Sequence, residues 1–379
     1  MYDCIIVGAG PSGSTAAYHL AKQGHSVLIL ERERLPRYKP CGGGVSPQVA
    51  EWFDFDFAPV ISKRVRHIRC TWELEDEVEA EVPEDEAIWM VRRDEFDYFL
   101  VQQAQQQGAE LWQATKARGV EFEGDRWQVE TSQGPVEGRY LIAADGGCGV
   151  MSRWLGLSQR HDKIAAAVEI EPRVTMPDGA PIHLEFGMLP YGYLWNFPKA
   201  DGYSIGGGMF LADKKRRYDL RPPIANYADQ FGVDLAEEKS YSHPILIWDK
   251  HRTLHTQQAL LAGEAARVVD PFTAEGIRPA IFSGLKASEA IHAALGGDGD
   301  ALARYTQTMQ TEWGQEMTWA KRLATIFYNA PKVAYQTAVK RPNATQQLIK
   351  LFNGKQTYAS VTQRAINRLS RGLLGRPSG

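Results

Sequence analysis

Apolar residues open the chain in a short unbroken run, Cys4 to Val7, and return in a second run from Ser26 to Leu30. Between them Ser12 to Gln23 is Ala-rich with helical spacing. Short apolar runs bounded by glycine mark strands buried on both faces, so the chain predicts strand, glycine turn, helix, strand: a βαβ opening. A Gly/Pro-rich stretch from Leu35 to Pro47 follows, and polar and apolar positions then alternate from Arg66 to Val82, predicting exposed antiparallel strands. From Asp94 to Gly108 the period lengthens to that of a helix, with Phe96, Leu100 and Ala104 on one face. Tyr140 to Ala144 predicts another buried strand, and Lys163 to Trp248 a set of aromatic-rich antiparallel strands punctuated by Gly and Pro. Leu260 to Gly263 reads as a short buried strand, Gly276 to Leu295 as a helix with small residues at Ala280, Gly284 and Ala287, and the remainder as mainly helical.

Composition adds little to this picture until it is divided along the chain. At 379 residues, 44% hydrophobic and 23% charged, the protein can bury a large core in two or three closely packed domains. A net charge of −3 gives no basic surface of the kind nucleic acid requires. From Pro331 to Gly379, however, there is no acid, and nine Lys and Arg residues give +9, which leaves −12 on the preceding residues. The four cysteines show no metal or redox spacing and are too sparse for a disulfide framework, so no metal site is expected and a reducing cytoplasm is the natural compartment. No stretch of about 18 apolar residues appears, and no membrane-spanning segment is expected.

Candidate chemistry begins at Gly8-Ala9-Gly10-Pro11-Ser12-Gly13, between the first strand and the first helix, with Glu31 ending the next strand. Gly8 permits the tight turn, Gly10 lets backbone approach a pyrophosphate, and Gly13 allows close helix packing. The helix N-terminus around Ser12 offers unpaired N–H groups to phosphate, and Glu31 can accept ribose hydroxyls. This constellation predicts a dinucleotide site without separating FAD from NAD.

Downstream, Leu260-Leu261-Ala262-Gly263-Glu264-Ala265-Ala266 and Pro271-Phe272-Thr273-Ala274-Glu275-Gly276-Ile277 resemble the second flavin motif of the FAD monooxygenase-like superfamily. The resemblance implies that Gly263 and Glu264 meet the ribityl chain and that a helix begins beside the isoalloxazine at Gly276 and Ile277. Glu264 replaces the usual Asp and makes the same bond only if its backbone recedes. A helix N-terminus at Gly276 would stabilise negative charge on the reduced ring. Ala144-Asp145-Gly146 before Ser152-Arg153 resembles the superfamily's Asp-Gly motif with one extra residue of spacing. Arg93-Asp94-Glu95-Phe96-Asp97 resembles its Arg-x-x-Phe-Asp segment, which implies an arginine close to the flavin; a surface cation at a helix start is the plain alternative. Tyr38-Lys39-Pro40-Cys41-Gly42-Gly43-Gly44 and Pro190-Tyr191-Gly192-Tyr193-Leu194-Trp195-Asn196-Phe197-Pro198-Lys199 narrow the likeness to the geranylgeranyl reductase family, over residues 1 to about 300.

That resemblance implies an α/β fold with an α+β insert. A Rossmann-like FAD-binding domain (1–50, 88–160 and 255–300) would be interrupted by an antiparallel β-sheet substrate domain (51–87 and 161–254) and followed by a helical C-terminal region (301–379). The implied function is saturation of prenyl carbon–carbon double bonds by reduced FAD, which needs hydride from flavin N5, a proton and a dry cavity. Cys41, with Gly42 and Gly43 in a loop against the ring, is the candidate proton donor or positioning group, or simply a small residue that fits. Tyr191, Tyr193, Trp195 and Phe197 would wall an apolar tunnel and face positive charge, or else form plain core. A flavin monooxygenase or halogenase on a hydrophobic substrate is the rival enzyme, although the Trp-x-Trp-x-Ile signature and catalytic Lys of halogenases are not found; a flavin-binding protein without turnover is the non-catalytic rival. No second glycine motif for a nicotinamide coenzyme is present, so NADPH docking transiently, ferredoxin or another carrier protein is the expected donor. Leu348, Ile349, Leu351 and Phe352, then Val361, Ile366, Leu369, Leu373 and Leu374, interleave with basic residues in two amphipathic stretches. These predict peripheral association with the cytoplasmic face of an anionic membrane, against the alternative of packing on the acidic body.

Overall fold

The computed structural model describes residues 1–157, 165–210 and 218–374. Lys163, where the alternating run was expected to begin, and Arg376, one of the nine basic residues, lie outside them. Strand Tyr2–Val7, helix Pro11–Lys22 and strand Val27–Leu30 form the expected βαβ unit. The two strands pair in parallel with Ile6 opposite Ile29, and all of Val27–Leu30 is buried. Pro11 sits at the first helical position, where its missing N–H costs no hydrogen bond. The sheet around them runs His255–Thr256, Ala259–Leu261, Val136–Ala143, Tyr2–Val7, Val27–Leu30, Glu110–Trp112, with Arg126–Thr131 and Ala117–Glu123 added antiparallel on Val136–Ala143. Helix Ile277–Leu295 packs along Pro11–Lys22. A Cβ at Gly284 would strike the carbonyl of Ser12, which explains the small residues on that helix face.

A second sheet has the order Tyr241–Ile245, Ala165–Ile170, Gly202–Met209, Gly192–Lys199, Ile182–Phe186, His67–Trp72, Glu75–Glu81. It is antiparallel apart from the pair Ile182–Phe186 and His67–Trp72, which run parallel. One row of directly opposed residues crosses six of its strands: Cys70, Leu184, Trp195, Gly206, Glu169, Tyr241. The short strands Gly44–Val45, Ile88–Met90 and Lys63–Val65 make a third sheet.

The C-terminal part is helical: Ala301–Thr308, Gln315–Asn329, Pro342–Phe352 and Tyr358–Leu374, with π-helical turns at Met309–Gly314 and Tyr335–Val339. It clamps onto the far edge of the second sheet. The Tyr335 hydroxyl donates to the carbonyls of Cys70 (3.0 Å) and Asp76 (2.6 Å), and Asn353 donates to the Glu86 carbonyl at 2.9 Å. Lys340 pairs with Asp76, and Lys355 with Asp85 and Glu86 at 3.1 and 3.2 Å. The first amphipathic stretch is therefore not free for a membrane: Ile349 and Leu351 are buried, and Leu348 and Phe352 face an internal cavity, because the acidic segment around residues 76–86 draws the basic one inward. The second stretch is helix Tyr358–Leu374, tied to the preceding helix by Thr362 donating to the Trp319 carbonyl (3.3 Å), with Val361 and Ile366 half-buried. The side chains of Leu369, Leu373 and Leu374 lie outside the described residues. Among the described residues no helix is long and apolar enough to cross a membrane.

Candidate active site

A cavity of about 750 Å³ lies between the two large sheets and beneath the C-terminal helices. Its lining is polar at one end and apolar at the other.

The polar end is built on the first strand–helix turn. Gly8 has φ +111°, a conformation closed to ordinary L-residues, and Gly13 presses on the Gly8 carbonyl. Gly10 is different: nothing lies nearer to a Cβ there than Arg37 Nη2 at 3.9 Å, so its backbone opens onto the cavity. The helix starting at Pro11 has no side-chain cap and no acid in its first turn, which leaves its N–H groups and dipole to an anion. Glu31, buried at the end of its strand, accepts from the Ala9 N–H at 3.1 Å and the Glu33 N–H at 3.0 Å, and pairs with Arg37 at 3.3 Å. Arg37 continues to Asp97 at 3.1 Å, and Asp97 takes two bonds from Arg93 at 2.8 Å. A line of charge thus runs from Glu31 to Arg93, which lies beside Cys41. Burial alone would lower the Arg93 pKa, but the charge and hydrogen bonds of Asp97 hold it above the ordinary value.

Asp145 accepts from the N–H groups of Val150 (2.7 Å) and Met151 (2.9 Å), while its Oδ1 is buried without a partner in the cavity wall. Burial raises its pKa against those two bonds. Gly263 packs on Ser12, and its N–H donates to Ser283 Oγ at 2.8 Å. Glu264 lines the cavity but turns its carboxylate toward the edge strand, accepting from the Leu246 N–H at 2.9 Å with His243 Nε2 at 3.6 Å. His243 in turn lies 2.6 Å from Lys39 Nζ. Burial would raise the Glu264 pKa, yet His243 and Lys39 bring it below the usual range. Gly276 is the N-cap of helix Ile277–Leu295. The Arg278 N–H is taken by Glu275 Oε1 at 3.1 Å and Pro279 has none, which leaves that of Ile277 for a ligand. The open Gly10 backbone, the unpartnered Asp145 oxygen and two helix N-termini on one cavity fit a flavin dinucleotide.

The apolar end is centred on the Cys41 loop. Cys41 Sγ accepts from the Gly43 N–H at 3.4 Å, and Gly42 lies so close to Phe197 and Trp195 that a Cβ would stand 2.7 Å from Phe197 Cδ2. Lys199, fully buried, donates to the carbonyls of Gly42 (2.5 Å) and Val91 (2.8 Å) and so fixes the loop from below. Burial lowers its pKa to about 8 against the pull of Glu171, Cys41 and Glu169. The Trp195 indole lies across Gly206 and donates to Ser204 Oγ at 3.4 Å; the Tyr193 hydroxyl donates to the Thr273 carbonyl at 2.5 Å and is pushed up by burial. Phe197, Phe210, Phe272, Phe327, Leu348 and Phe352 complete the wall. Tyr191 does not join it. It sits in the turn before strand Gly192–Lys199 with φ 58°, 38% exposed, because the alternation that aims Tyr193, Trp195 and Phe197 inward starts only with the strand. Arg93, by contrast, is no surface cation, since its side chain is only 11% exposed and lines the cavity.

Three residues without a role in the motifs also converge here. Glu169 accepts at Oε1 from the Cys41 N–H (2.6 Å) and the Tyr38 hydroxyl (3.0 Å), and Tyr38 stacks near Tyr241 with ring centroids 4.1 Å apart. Burial, helped by Glu171, pushes the Glu169 pKa to about 7. Lys199 is the third. An acid within Ala-Ala-Ala-Val-Glu-Ile and a lysine closing an aromatic strand are the signals that were available.

The fold and this cavity define an FAD-dependent oxidoreductase. An FAD binding domain model matches residues 1–185. The chain is 30% identical over 318 residues to a digeranylgeranylglycerophospholipid reductase of Thermoplasma acidophilum, covering 78% of each protein. Among solved structures, a geranylgeranyl bacteriochlorophyll reductase-like protein of the same organism superposes with TM-score 0.77 at 24% identity, over 86% of this chain and 87% of that one. A flavin-dependent brominase shares the fold with TM-score 0.72 at 20% identity, over 98% and 99% of the chains. The chain belongs to the geranylgeranyl reductase family of FAD-dependent oxidoreductases.

Proposed function

We propose that the protein saturates carbon–carbon double bonds of a prenyl chain carried by a lipid. The observation that carries this reading is the continuity of the cavity, in which a dinucleotide cradle opens directly onto an apolar chamber walled by aromatics and closed by the C-terminal helices. The name of the Thermoplasma acidophilum relative supports a geranylgeranyl-type substrate. When bound, FAD supplies the hydride equivalent. The chain's own residues do the rest. Gly8, Gly10 and Ser12 receive the pyrophosphate on a turn that Gly13 keeps tight, and Glu31 the adenosine ribose; Asp145, Glu264, Gly276 and Ile277 receive the ribityl and ring end, with Gly263 packed on Ser12 behind them. Arg93, Gly42 and Gly43 shape the wall beside the ring, and Cys41 places the substrate against it. Tyr193 and Trp195 present ring faces to positive charge developing on the alkene and keep water out. Segments 1–50, 88–160 and 255–300 are assigned to holding FAD, 51–87 and 161–254 to the substrate, and 301–379 to closing the chamber. NADPH or a ferredoxin-type carrier is the proposed electron source. A lipid substrate places the enzyme at a membrane surface, and helix Tyr358–Leu374 is the segment proposed to meet it.

The test is anaerobic incubation of dithionite-reduced holoprotein with geranylgeranyl lipids, diphosphates and quinones. Product gaining two hydrogens per saturated bond by mass spectrometry is the expected result. Flavin reoxidation only by oxygen, with a hydroxylated or halogenated product, would transfer the protein to the rival class.

A further inference from the structure

Saturation of an isolated double bond adds a hydride equivalent to one carbon and a proton to the other. Reduced flavin supplies the first; the source of the second is a property of this chain. The row across the second sheet sets Glu169 directly opposite Gly206, and Gly206 directly opposite Trp195. Because Gly206 has no side chain, the Trp195 indole lies over it, in the space between Trp195 and Glu169 on that row. Both bonds that Glu169 accepts, from the Cys41 N–H and the Tyr38 hydroxyl, fall on Oε1, while the side chain lines the cavity. Among the described residues no hydrogen bond falls on Oε2, which leaves it as the oxygen free to meet a substrate in the chamber that Glu169 lines. Tyr38 is 39% exposed, so the same carboxyl is hydrogen-bonded to a residue that reaches solvent.

We propose that Glu169 delivers the proton to the prenyl double bond from Oε2, and that Tyr38 restores it from solvent. Per bond saturated, Oε2–H breaks and one C–H forms as the hydride equivalent from reduced flavin forms the other. Tyr38 then passes its hydroxyl proton to Oε1 as it takes one from a solvent acid in the same step, so that no tyrosinate forms, and rotation of the carboxyl returns the O–H to the chamber. The proposal rests on prenyl reduction as the reaction. The groups facing Glu169 favour a proton held near neutrality. Glu171, just past the end of its strand, repels a second charge, while Tyr241 stands directly opposite Glu169 on the edge strand and His243 opposite Ala167. Lys199 pulls the other way but is tied to Gly42 and Val91, and burial outweighs it and the bonds from Cys41 and Tyr38. Cys41 Sγ is turned to the Gly43 N–H, and the Cys41 N–H is given to Glu169.

Three measurements on FAD-loaded protein decide the matter. Infrared difference spectra should show a carboxylic C=O band titrating near pH 7 in the wild type and missing in Glu169→Gln; an identical spectrum in the variant overturns the proposal without reference to any substrate. In single turnovers of dithionite-reduced enzyme with a geranylgeranyl lipid, Glu169→Gln should keep flavin absorbance and reducibility yet lose roughly 10²-fold in rate. The wild-type rate should fall as pH rises through about 7, and this dependence should vanish in the variant. Tyr38→Phe should leave the first turnover intact and slow later ones. If the wild type forms product and Glu169→Gln matches it in rate and pH profile, only the proton assignment fails. If the wild type forms no product from any prenyl compound, the prenyl reading fails and takes this assignment with it.

Discussion

Gly10 and Gly13 stand three residues apart, yet a side chain would do opposite things at the two positions. At Gly13 it would collide with the Gly8 carbonyl, so Gly13→Val should cost about 1–3 kcal/mol of stability or more, read as a lowered Tm. At Gly10 it would enter open cavity, so Gly10→Val should fold with an unchanged Tm in the apo state and purify colourless. Cys41→Ser should retain FAD and slow single-turnover reduction by less than about tenfold, since its neighbours make it a positioning residue; a loss near 10²-fold would hand the acid role back to it. Glu169 also writes itself into stability. Burial raises its pKa from the ordinary 4.5 to about 7 on folding, so the folded chain holds a proton that the unfolded chain releases. The stabilisation is complete below about 4.5 and is lost as pH rises through about 7. Glu169→Gln should therefore gain Tm relative to wild type as pH rises across that window, and a difference independent of pH would refute the buried protonated acid. Residues with a fixed motif spacing, such as Gly8, Gly10, Gly13 and Glu31, were legible because backbone geometry alone dictates them. Glu169 was not, because its role comes from Cys41 and Tyr38, about 130 positions away in the chain.

Elements were legible where the period is local. The βαβ opening, helix Arg93–Gln106 and helix Ile277–Leu295 each follow from their own sequence. The parallel pairing of His67–Trp72 with Ile182–Phe186 joins segments more than a hundred residues apart and leaves no local trace, and strands as short as Gly44–Val45 are below what alternation can mark. The C-terminal helices are the clearest case of a correct pattern with an unexpected partner. Pro342–Phe352 is amphipathic as expected, but its apolar face closes the chamber instead of meeting lipid. Leu348→Trp, which adds bulk at that wall, should leave FAD absorbance unchanged while raising KM for geranylgeranyl substrates more than for geranyl ones. Equal effects on both chain lengths would remove this helix from the binding of the distal chain.

At the scale of the whole molecule the charge separation seen in the sequence is partly satisfied internally, since Lys340 and Lys355 are bound to Asp76, Asp85 and Glu86. Helix Tyr358–Leu374 carries part of what is left for an external surface, and on it Arg364 is exposed and held by the Ser360 carbonyl at 3.1 Å and by Gln347 at 3.3 Å. A basic residue beside an anionic membrane contributes about 1 kcal/mol, so reversing one charge should cost about 2 kcal/mol, roughly thirtyfold in affinity. Wild-type protein is expected to co-sediment with anionic liposomes at low salt, to leave them at high salt as the charges are screened, and to ignore neutral ones. Arg364→Glu should weaken the first of these while leaving flavin spectrum and Tm unchanged. Truncation after Gly354 is a poorer probe, because it removes Tyr358, whose hydroxyl bonds Asp270 beside the second flavin motif. Identical sedimentation of wild type and Arg364→Glu on anionic liposomes would show that the remaining positive charge of this helix serves the fold alone, and that the lipid substrate reaches the chamber without the help of this helix.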